Sequence, residues 1–383
     1  ISIRDIVIQE RENDLVIATF GRGFYILDDF TPLREITSKK LDSSDAIIFP
    51  VKDALMYVQQ GSRYGQGSTV YSADNPEFGA TFTYFIKEVP KTKKQDRLKK
   101  EEELFKNGEP IPQPTKQQIT EEENEIPPVL VFTITDNVGN LVRKIYKNPS
   151  KGINRITWNL RYQGKNPARL NNNKFDPKNS GSDGMFALPG TYQVSLAMDH
   201  NGVINHLAGP VSFIAKPLNN TTLSTSNREA LVDYQNKVAE LARVMQGTER
   251  FAEDLVKKTE LIRQTLHNTP KAPPELAQKT KTIAEQLKEV MFTFNGTEPK
   301  ASSEEVPPES VSLNQRLNNI AYSHWSSTSE PTQTQLRNFE ILKEEFPPLH
   351  ETIRQIDQQL KQIEIEMEKY ESPWTPGRLP EIK

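Results

Sequence analysis

The 383-residue chain contains no cysteine. The sequence therefore excludes disulfide bonds, thiol nucleophiles and zinc–thiolate sites. It also has no apolar run long enough to cross a bilayer, so we expect no membrane-spanning segment, and it carries no recognisable signal peptide. The formal net charge is only −3, which gives no electrostatic reason to expect nucleic acid as a partner.

Local motifs for catalysis and for metal binding are lacking as well. No Gly-x-Ser-x-Gly run occurs, and Gly21 and Gly23 precede a strand and lack the third glycine of a dinucleotide loop. The histidines match no metal-ligand spacing; they are His200, His206, His267, His324 and His350. The sequence therefore predicts no catalytic residue, no metal and no cofactor in this chain, and leaves open whether the full protein is an enzyme.

The first 30 residues read as three short strands joined by turns. Segments 4–10, 15–19 and 24–27 alternate or cluster apolar residues, and residues 12–14 and 21–23 supply the turns. Because so small a sheet is marginal in water on its own, residues 1–30 are interpreted as the terminal strands of a β-propeller blade. The other blades are expected upstream, in the same protein.

Two features of this region are candidate ligand-binding residues. Arg22, between two glycines, offers a guanidinium on a tight turn to an anionic ligand, or a salt bridge to a neighbouring blade or to Asp28. Asp28 and Asp29, after the third strand, offer carboxylates to a cation, or acceptors to the backbone where the chain turns. The structural alternative is favoured in both cases.

The middle of the chain has the pattern of a β domain. Residues 31–45 are predicted to be a linker, and residues 46–217 an antiparallel β-sandwich of immunoglobulin or fibronectin type. Segments 129–135 and 141–146 form a predicted hairpin, and Asn201-Gly202 marks a second one, between residues 189–196 and 203–206, with a further strand at 211–215. A charged insertion at about 87–127 is either solvated helix with loops or partly disordered.

Aromatic residues in this predicted sandwich allow two interpretations. They form either a platform for stacking carbohydrate or part of the core, and they are Trp158, Tyr162, Phe186 and Tyr192. Their alternation with polar neighbours favours the core.

From residue 225 to 372 the hydrophobic period changes to that of helices. Ser226 with Glu229, Ser312 with Gln315, and Thr332 with Gln335 have the spacing of helix N-caps, and Pro273-Pro274 opens another helix. In the last helix the apolar stripe crosses Pro347-Pro348 in phase, which predicts one kinked helix or two collinear ones. The region is predicted to be an antiparallel helical bundle, followed by a tail at 373–383.

Several of these segments resemble a known family. The run from Thr19 to Asp29 resembles the closing blade of bacterial sortilin-like (VPS10-type) propeller proteins with BNR/Asp-box repeats, often labelled glycosyl hydrolases. Their common Thr-His-Gly-Arg-Gly run has Phe20 at the histidine position here, and no Asp-box occurs. The likeness extends along the chain to residues 84–90, 152–162, 189–192, 325–333 and 373–380.

The resemblance implies an exported protein that is periplasmic, outer-membrane-associated or extracellular. In it this chain is expected to be a non-catalytic region that braces the upstream propeller or docks a protein or glycan partner. One alternative is part of a glycoside hydrolase whose active site lies mainly in the propeller. Another is an assembly subunit of a cell-envelope complex.

Overall fold

The computed structural model describes residues 1–59, 67, 69, 73–168, 174–218, 227–299, 301, 302, 304, 306, 308–325 and 327–380. The chain divides into two compact units. The first comprises Ile1–Gly164 and Asn171–Thr222, and the second comprises Lys165–Leu170 and Leu223–Lys383. The first unit holds the β-sheets, and the second holds the C-terminal helical region.

The first unit begins with a three-stranded antiparallel meander, here called the N-terminal sheet. It consists of β1 (Ile3–Gln9), β2 (Asp14–Thr19) and β3 (Phe24–Leu27), with β2 in the centre. The turn between β2 and β3 needs its glycines, because Gly21 and Gly23 have φ values of 73° and 74°. The three strands predicted from the sequence are confirmed.

The rest of the unit alternates short strands with helices. A 3₁₀ helix (Thr31–Glu35) and α1 (Ser38–Asp42) precede β4 (Ala46–Ile48), β5 (Ala54–Met56) and β6 (Ala80–Ile86). Two further helices follow, α2 (Lys93–Lys106) and α3 (Lys116–Asn124). The remaining strands are β7 (Val129–Asp136), β8 (Leu141–Lys147), β9 (Gly152–Trp158), β10 (Arg161–Gln163), β11 (Asp183–Phe186), β12 (Gly190–His200) and β13 (Val203–Pro217).

These strands form mixed sheets, one of them curled into a half-barrel. One sheet has the order β4-β6-β9, a second has the order β5-β13-β12-β7-β8, and β10 pairs with β11. β5 runs parallel to β13, with Ala54 opposite Ala215, so the expectation of a wholly antiparallel fold is wrong at this edge. Periodicity identifies a strand but not its neighbour, so a three-residue edge strand gives no local sign of its direction.

The β4-β6-β9 sheet and the five-stranded sheet contribute to one hydrophobic core. Phe82 and Tyr84 of β6 are fully buried, and the ring of Tyr84 meets that of Phe132 of β7 at 4.9 Å. Trp158 of β9 packs edge-on against Tyr192 of β12 at 5.1 Å. The residues that alternate along β6 therefore point into the core.

The Asn201-Gly202 turn predicted between two strands is confirmed, with φ values of 54° and 80°. The strand after it was expected to be two, at 203–206 and 211–215, but β13 is one continuous strand. Gly209 lies within it, where the register with β12 shifts. A Cβ at this glycine would lie 2.8 Å from the carbonyl oxygen of Val194, so the glycine marks a close backbone approach and not the end of a strand.

The charged segment predicted at about 87–127 contains the two helices α2 and α3. Of the two predictions for it, helix with loops is therefore the one that the structure supports. Both begin with a capping box, at Thr92 and at Thr115, and neither buries a residue. Arg97 joins them, because its guanidinium contacts Glu122 of α3 and Glu101 of α2 at 2.5 and 2.7 Å.

The second unit contains α4 (Arg228–His267), α5 (Pro274–Asn295), α6 (Leu313–Trp325) and α7 (Gln333–Glu368), whose apolar faces share one core. The Thr332 capping box is confirmed, and α7 runs through Pro347-Pro348 as one helix. α4 is capped by Asn227, whose side chain accepts from the Ala230 amide, whereas the predicted cap Ser226 lies outside the described residues. No helix among the described residues has both the length and the apolarity that a membrane span requires.

Candidate functional site

The N-terminal sheet has apolar side chains on both of its faces. Residues paired across an antiparallel ladder lie on the same face, so the register defines two sets. The first face carries Ile6, Ile8, Leu15, Ile17, Tyr25 and Leu27. The second carries Val7, Val16, Ala18, Phe24 and Ile26.

Much of this apolar surface is open to solvent. On the first face Ile6 is 52% exposed and Tyr25 is 50% exposed. On the second face Phe24 is 74% exposed and Ile26 is 62% exposed. An antiparallel sheet with one solvated face alternates apolar and polar residues, and this sheet does not. Large exposed apolar patches mark interaction surfaces, so both faces qualify as candidate contact surfaces.

The edges of the sheet are also available for pairing. β1 and β3 are its outer strands, and no other described strand pairs with either of them. The outward backbone groups of an edge strand are a template for a further strand. The sheet therefore offers two faces and two edges to a partner.

One end of this sheet is fixed to the rest of the first unit by two cations. Arg155 of β9 donates from Nη1 to the Asp28 carbonyl and from Nη2 to the Asp29 carbonyl, both at 2.8 Å. Lys52 donates from Nζ to the Glu12 carbonyl at 2.9 Å and pairs with its carboxylate at 2.5 Å. The hydrogen bond from Lys52 lowers the pKa of Glu12.

Hydrogen bonds to and from Asp29 hold the chain where it leaves β3. The Asp29 amide donates to the Asp14 carboxylate at 3.0 Å, and the Asp29 carboxylate accepts from the Thr31 amide at 3.2 Å. Asp29 has a φ of 46°, a conformation that aspartate tolerates better than most residues. Phe30 follows, 9% exposed, and its amide donates to the Asn13 carbonyl at 2.8 Å.

The structure does not bring Arg22 and Asp28 together. Arg22 is exposed on the turn that precedes β3, whereas Asp28 follows the other end of that strand. Arg22 makes no hydrogen bond or ion pair with the described part of the chain, so the salt bridge to Asp28 considered from the sequence is not formed there. Asp28 and Asp29 take part in anchoring, through their carbonyls and the Asp29 carboxylate.

Sequence reasoning missed Arg155 and Lys52. Arg155 lies opposite Thr83 in β9, a strand in which the sequence pattern indicates core residues only. The available signal was a cation in the middle of a strand with no acidic residue near it in sequence. Its partners are backbone carbonyls 126 and 127 residues away, which no sequence spacing reveals.

The aromatic residues considered for carbohydrate stacking belong to the core. Trp158 is 0% exposed and donates from Nε1 to the Arg161 carbonyl at 2.9 Å. Tyr192 is 3% exposed and donates to the Leu188 carbonyl. Tyr162 and Phe186 pack against the same core and are partly buried. These rings present no open platform to a sugar.

Acidic and histidine side chains form no metal-binding group of three or more within the described ranges. Comparisons with protein-family models, with curated proteins and with solved structures found no match to this chain.

Proposed function

We propose that this chain is a non-catalytic structural and interaction region of an exported, sortilin-like β-propeller protein. In this proposal the N-terminal sheet belongs to one propeller blade, and the remaining blades lie upstream in the same protein. The observation that carries the proposal is the exposed apolar surface on both faces of the sheet.

The blade interpretation follows from the need to cover apolar residues on both faces of the sheet. Propeller blades are small antiparallel sheets arranged radially, so each is covered on both faces by its neighbours. Three strands with apolar residues on both faces match that environment and fit poorly with a sheet that is solvated on one side. Burying one large apolar side chain contributes about 1.5–3 kcal/mol, so the exposed residues of both faces are a large source of binding energy.

In this account the residues after the blade brace it. The sheets that share the core around Tyr84 and Phe132 are proposed to be a β-sandwich of immunoglobulin or fibronectin type. Arg155 and Lys52 fasten the blade to it through carbonyl oxygens and Glu12. The helices of the second unit are proposed to be an antiparallel bundle that supports the propeller or docks a protein or glycan partner.

Charge placed on either face of the N-terminal sheet tests the proposal. Ile6→Lys on the first face and Ile26→Lys on the second place a charge against a neighbouring blade. Each variant of the full-length protein is therefore expected to unfold at a lower temperature than the parent. The same changes in the 383-residue chain are expected to be nearly neutral, since both side chains are exposed there.

Val138→Lys is the matched control, because Val138 is a 74% exposed apolar residue in a turn outside the N-terminal sheet. It should leave both proteins unchanged. If only one face is sensitive in the full-length protein, or neither is, the sheet is not covered on both sides and the blade assignment is wrong.

A further inference from the structure

A second candidate site lies in the helical unit, away from the N-terminal sheet. A pocket of about 730 Å³ is bounded by α4, by α7 and by residues 165–167, which belong to this unit. Pockets of this size accommodate small organic ligands.

The wall formed by residues 165–167 is held in place by α4. Arg250 donates from Nη1 to the Pro167 carbonyl, and the Ala168 carbonyl is 3.4 Å from the same nitrogen. Gly247 faces this segment: a Cβ there would lie 3.9 Å from Pro167 Cγ, so alanine fits but a longer side chain would press on the proline.

The rim of the pocket is cationic. Lys165, Arg243 and Arg354 all line it, whereas its one acidic residue, Asp357, is neutralised by Lys361 at 2.6 Å. Glu240 and Glu351 pair with the two arginines, and Glu240 also attracts Lys165. The rim and its partners together carry four cations and three carboxylates, which leaves an excess of one positive charge at the pocket.

The two arginines can be released to a ligand at little cost. Arg243 donates from Nε and Nη2 to Glu240, and Arg354 donates from Nε and Nη2 to Glu351 at 2.9 and 2.8 Å. The four side chains in these pairs are 45–61% exposed. Solvent-exposed pairs contribute about 0–1 kcal/mol, so an incoming oxyanion competes for these guanidinium groups without a large penalty.

The pocket also has an apolar wall. Phe251 of α4 lines it and is 45% exposed, and Ile353 of α7 is buried at its base. The Thr248 hydroxyl already donates to the Val244 carbonyl at 2.9 Å, which leaves the charged groups, Asn166, His350 and the Phe251 ring as the recognition elements.

We propose that this pocket binds a small organic oxyanion, a carboxylate or a phosphate monoester, attached to a body with an apolar face. Arg243, Arg354 and Lys165 receive the oxyanion, and the ring of Phe251 packs against the body. Arginine suits this role because its planar donors match both carboxylate and phosphate geometry. The site is independent of the N-terminal sheet and of the propeller assignment.

Calorimetric titration of the 383-residue chain tests the proposal with three probes that share one body: D-glucuronate, D-glucose 6-phosphate and D-glucose. We expect at least one of the anions to bind at least about tenfold more tightly than glucose, as charge-assisted hydrogen bonds predict. Tighter binding of glucuronate than of glucose 6-phosphate identifies a carboxylate site, and tighter binding of glucose 6-phosphate identifies a phosphate site. Equal binding of all three probes, or no binding up to about 20 mM, overturns the proposal.

Substitutions of the two arginines test whether the anion binds in this pocket. Arg243→Gln with Arg354→Gln should weaken the anion at least about tenfold, and both positions are exposed, so folding is retained. Arg263→Gln is the matched control, since Arg263 forms the same kind of pair with Glu260 on α4 but does not line the pocket. Binding that is equal in the double variant and in the control contradicts the assigned site.

Discussion

His324 is a buried polar residue in an apolar environment. It is 2% exposed on α6, and its ring lies 5.4 Å from that of Tyr234 on α4. Gln335 approaches the imidazole, but neither ring nitrogen has hydrogen-bonding geometry to a partner in the described part of the chain. The sequence predicted only that this histidine binds no metal, because nothing in its spacing reveals how deeply it is buried.

Burial makes the stability of the helical unit depend on pH through His324. Burial lowers the pKa of this histidine below its ordinary value, so the unfolded state binds the proton more readily than the folded state. The stabilisation is therefore complete above about pH 6.5 and is lost as the pH falls below it. Tyr234 stays neutral throughout this range, because its ordinary pKa already lies well above it and burial raises the pKa further, to about 12.

Replacing His324→Phe should remove that pH dependence. Urea unfolding at pH 7.5 and pH 5.5 is expected to show a smaller loss of unfolding free energy in the variant than in the parent. His267→Phe is the control, since His267 is exposed at the end of α4. An unchanged pH dependence in the His324 variant would show that this imidazole does not titrate with unfolding.

Glu364 is a buried charge with a complete set of partners. It is 1% exposed, its carboxylate lies 2.8 Å from Lys258 Nζ, and it accepts from the Thr375 hydroxyl at 2.5 Å. Arg378 donates to the Glu364 carbonyl at 3.0 Å. The run at 373–380, which contributed to the family resemblance, therefore folds back onto α7 and covers this carboxylate.

Removing the Glu364 carboxylate should be strongly destabilising. Glu364→Ala leaves Lys258 without its buried partner, and the expected cost is about 3–5 kcal/mol. Glu366→Ala, two residues along the same helix, removes a 40% exposed partner of Lys279 and should cost less than about 1 kcal/mol. Denaturant unfolding compares the two, and equal costs would show that the Glu364 network adds nothing beyond a surface pair.

At the scale of elements, Arg155 joins the N-terminal sheet to β9. Arg155→Ala removes two hydrogen bonds to the carbonyls that follow β3. The expected result is faster amide hydrogen exchange in β1, β2 and β3, with the exchange of β6 and β7 unchanged. Arg22→Ala is the control within the same sheet, because it is exposed and has no described partner, and it should leave exchange unaltered. Equal exchange in the Arg155 variant and the parent would contradict the anchoring role.

Periodicity and capping motifs predict where helices and strands lie more reliably than they predict which strands pair. The three N-terminal strands, the Asn201-Gly202 turn and the Thr332 capping box depend on neighbours within a few residues, so the sequence contains the information. The parallel pairing of β5 with β13 joins segments about 160 residues apart and has no local signature. The contacts of Arg155 could not be predicted for the same reason, since its partners are 126 and 127 residues away.

At the scale of the whole molecule, the sequence predicts the three strands of the N-terminal sheet but not its two apolar faces. Ile6 and Ile8 alternate along β1, but alternation within one strand does not show which residues of the other strands share their face. The register adds Val7, Val16 and Ile26 as a second face, because each lies opposite the others across the ladder. The cationic pocket in the helical unit was not foreseen, since it combines residues more than 180 residues apart.

The measurement that tests the central claim most directly is amide hydrogen exchange across residues 3–27, compared between the 383-residue chain and the longer propeller protein that we propose. We predict that β1 and β3 exchange quickly in the 383-residue chain, because both are exposed edge strands. In the longer propeller protein that we propose, their exchange should slow by at least about a hundredfold, as neighbouring blades cover both faces and a further strand of the same blade pairs with one of the open edges. Exchange that is equally fast in both proteins would contradict the assignment of this sheet to a propeller blade.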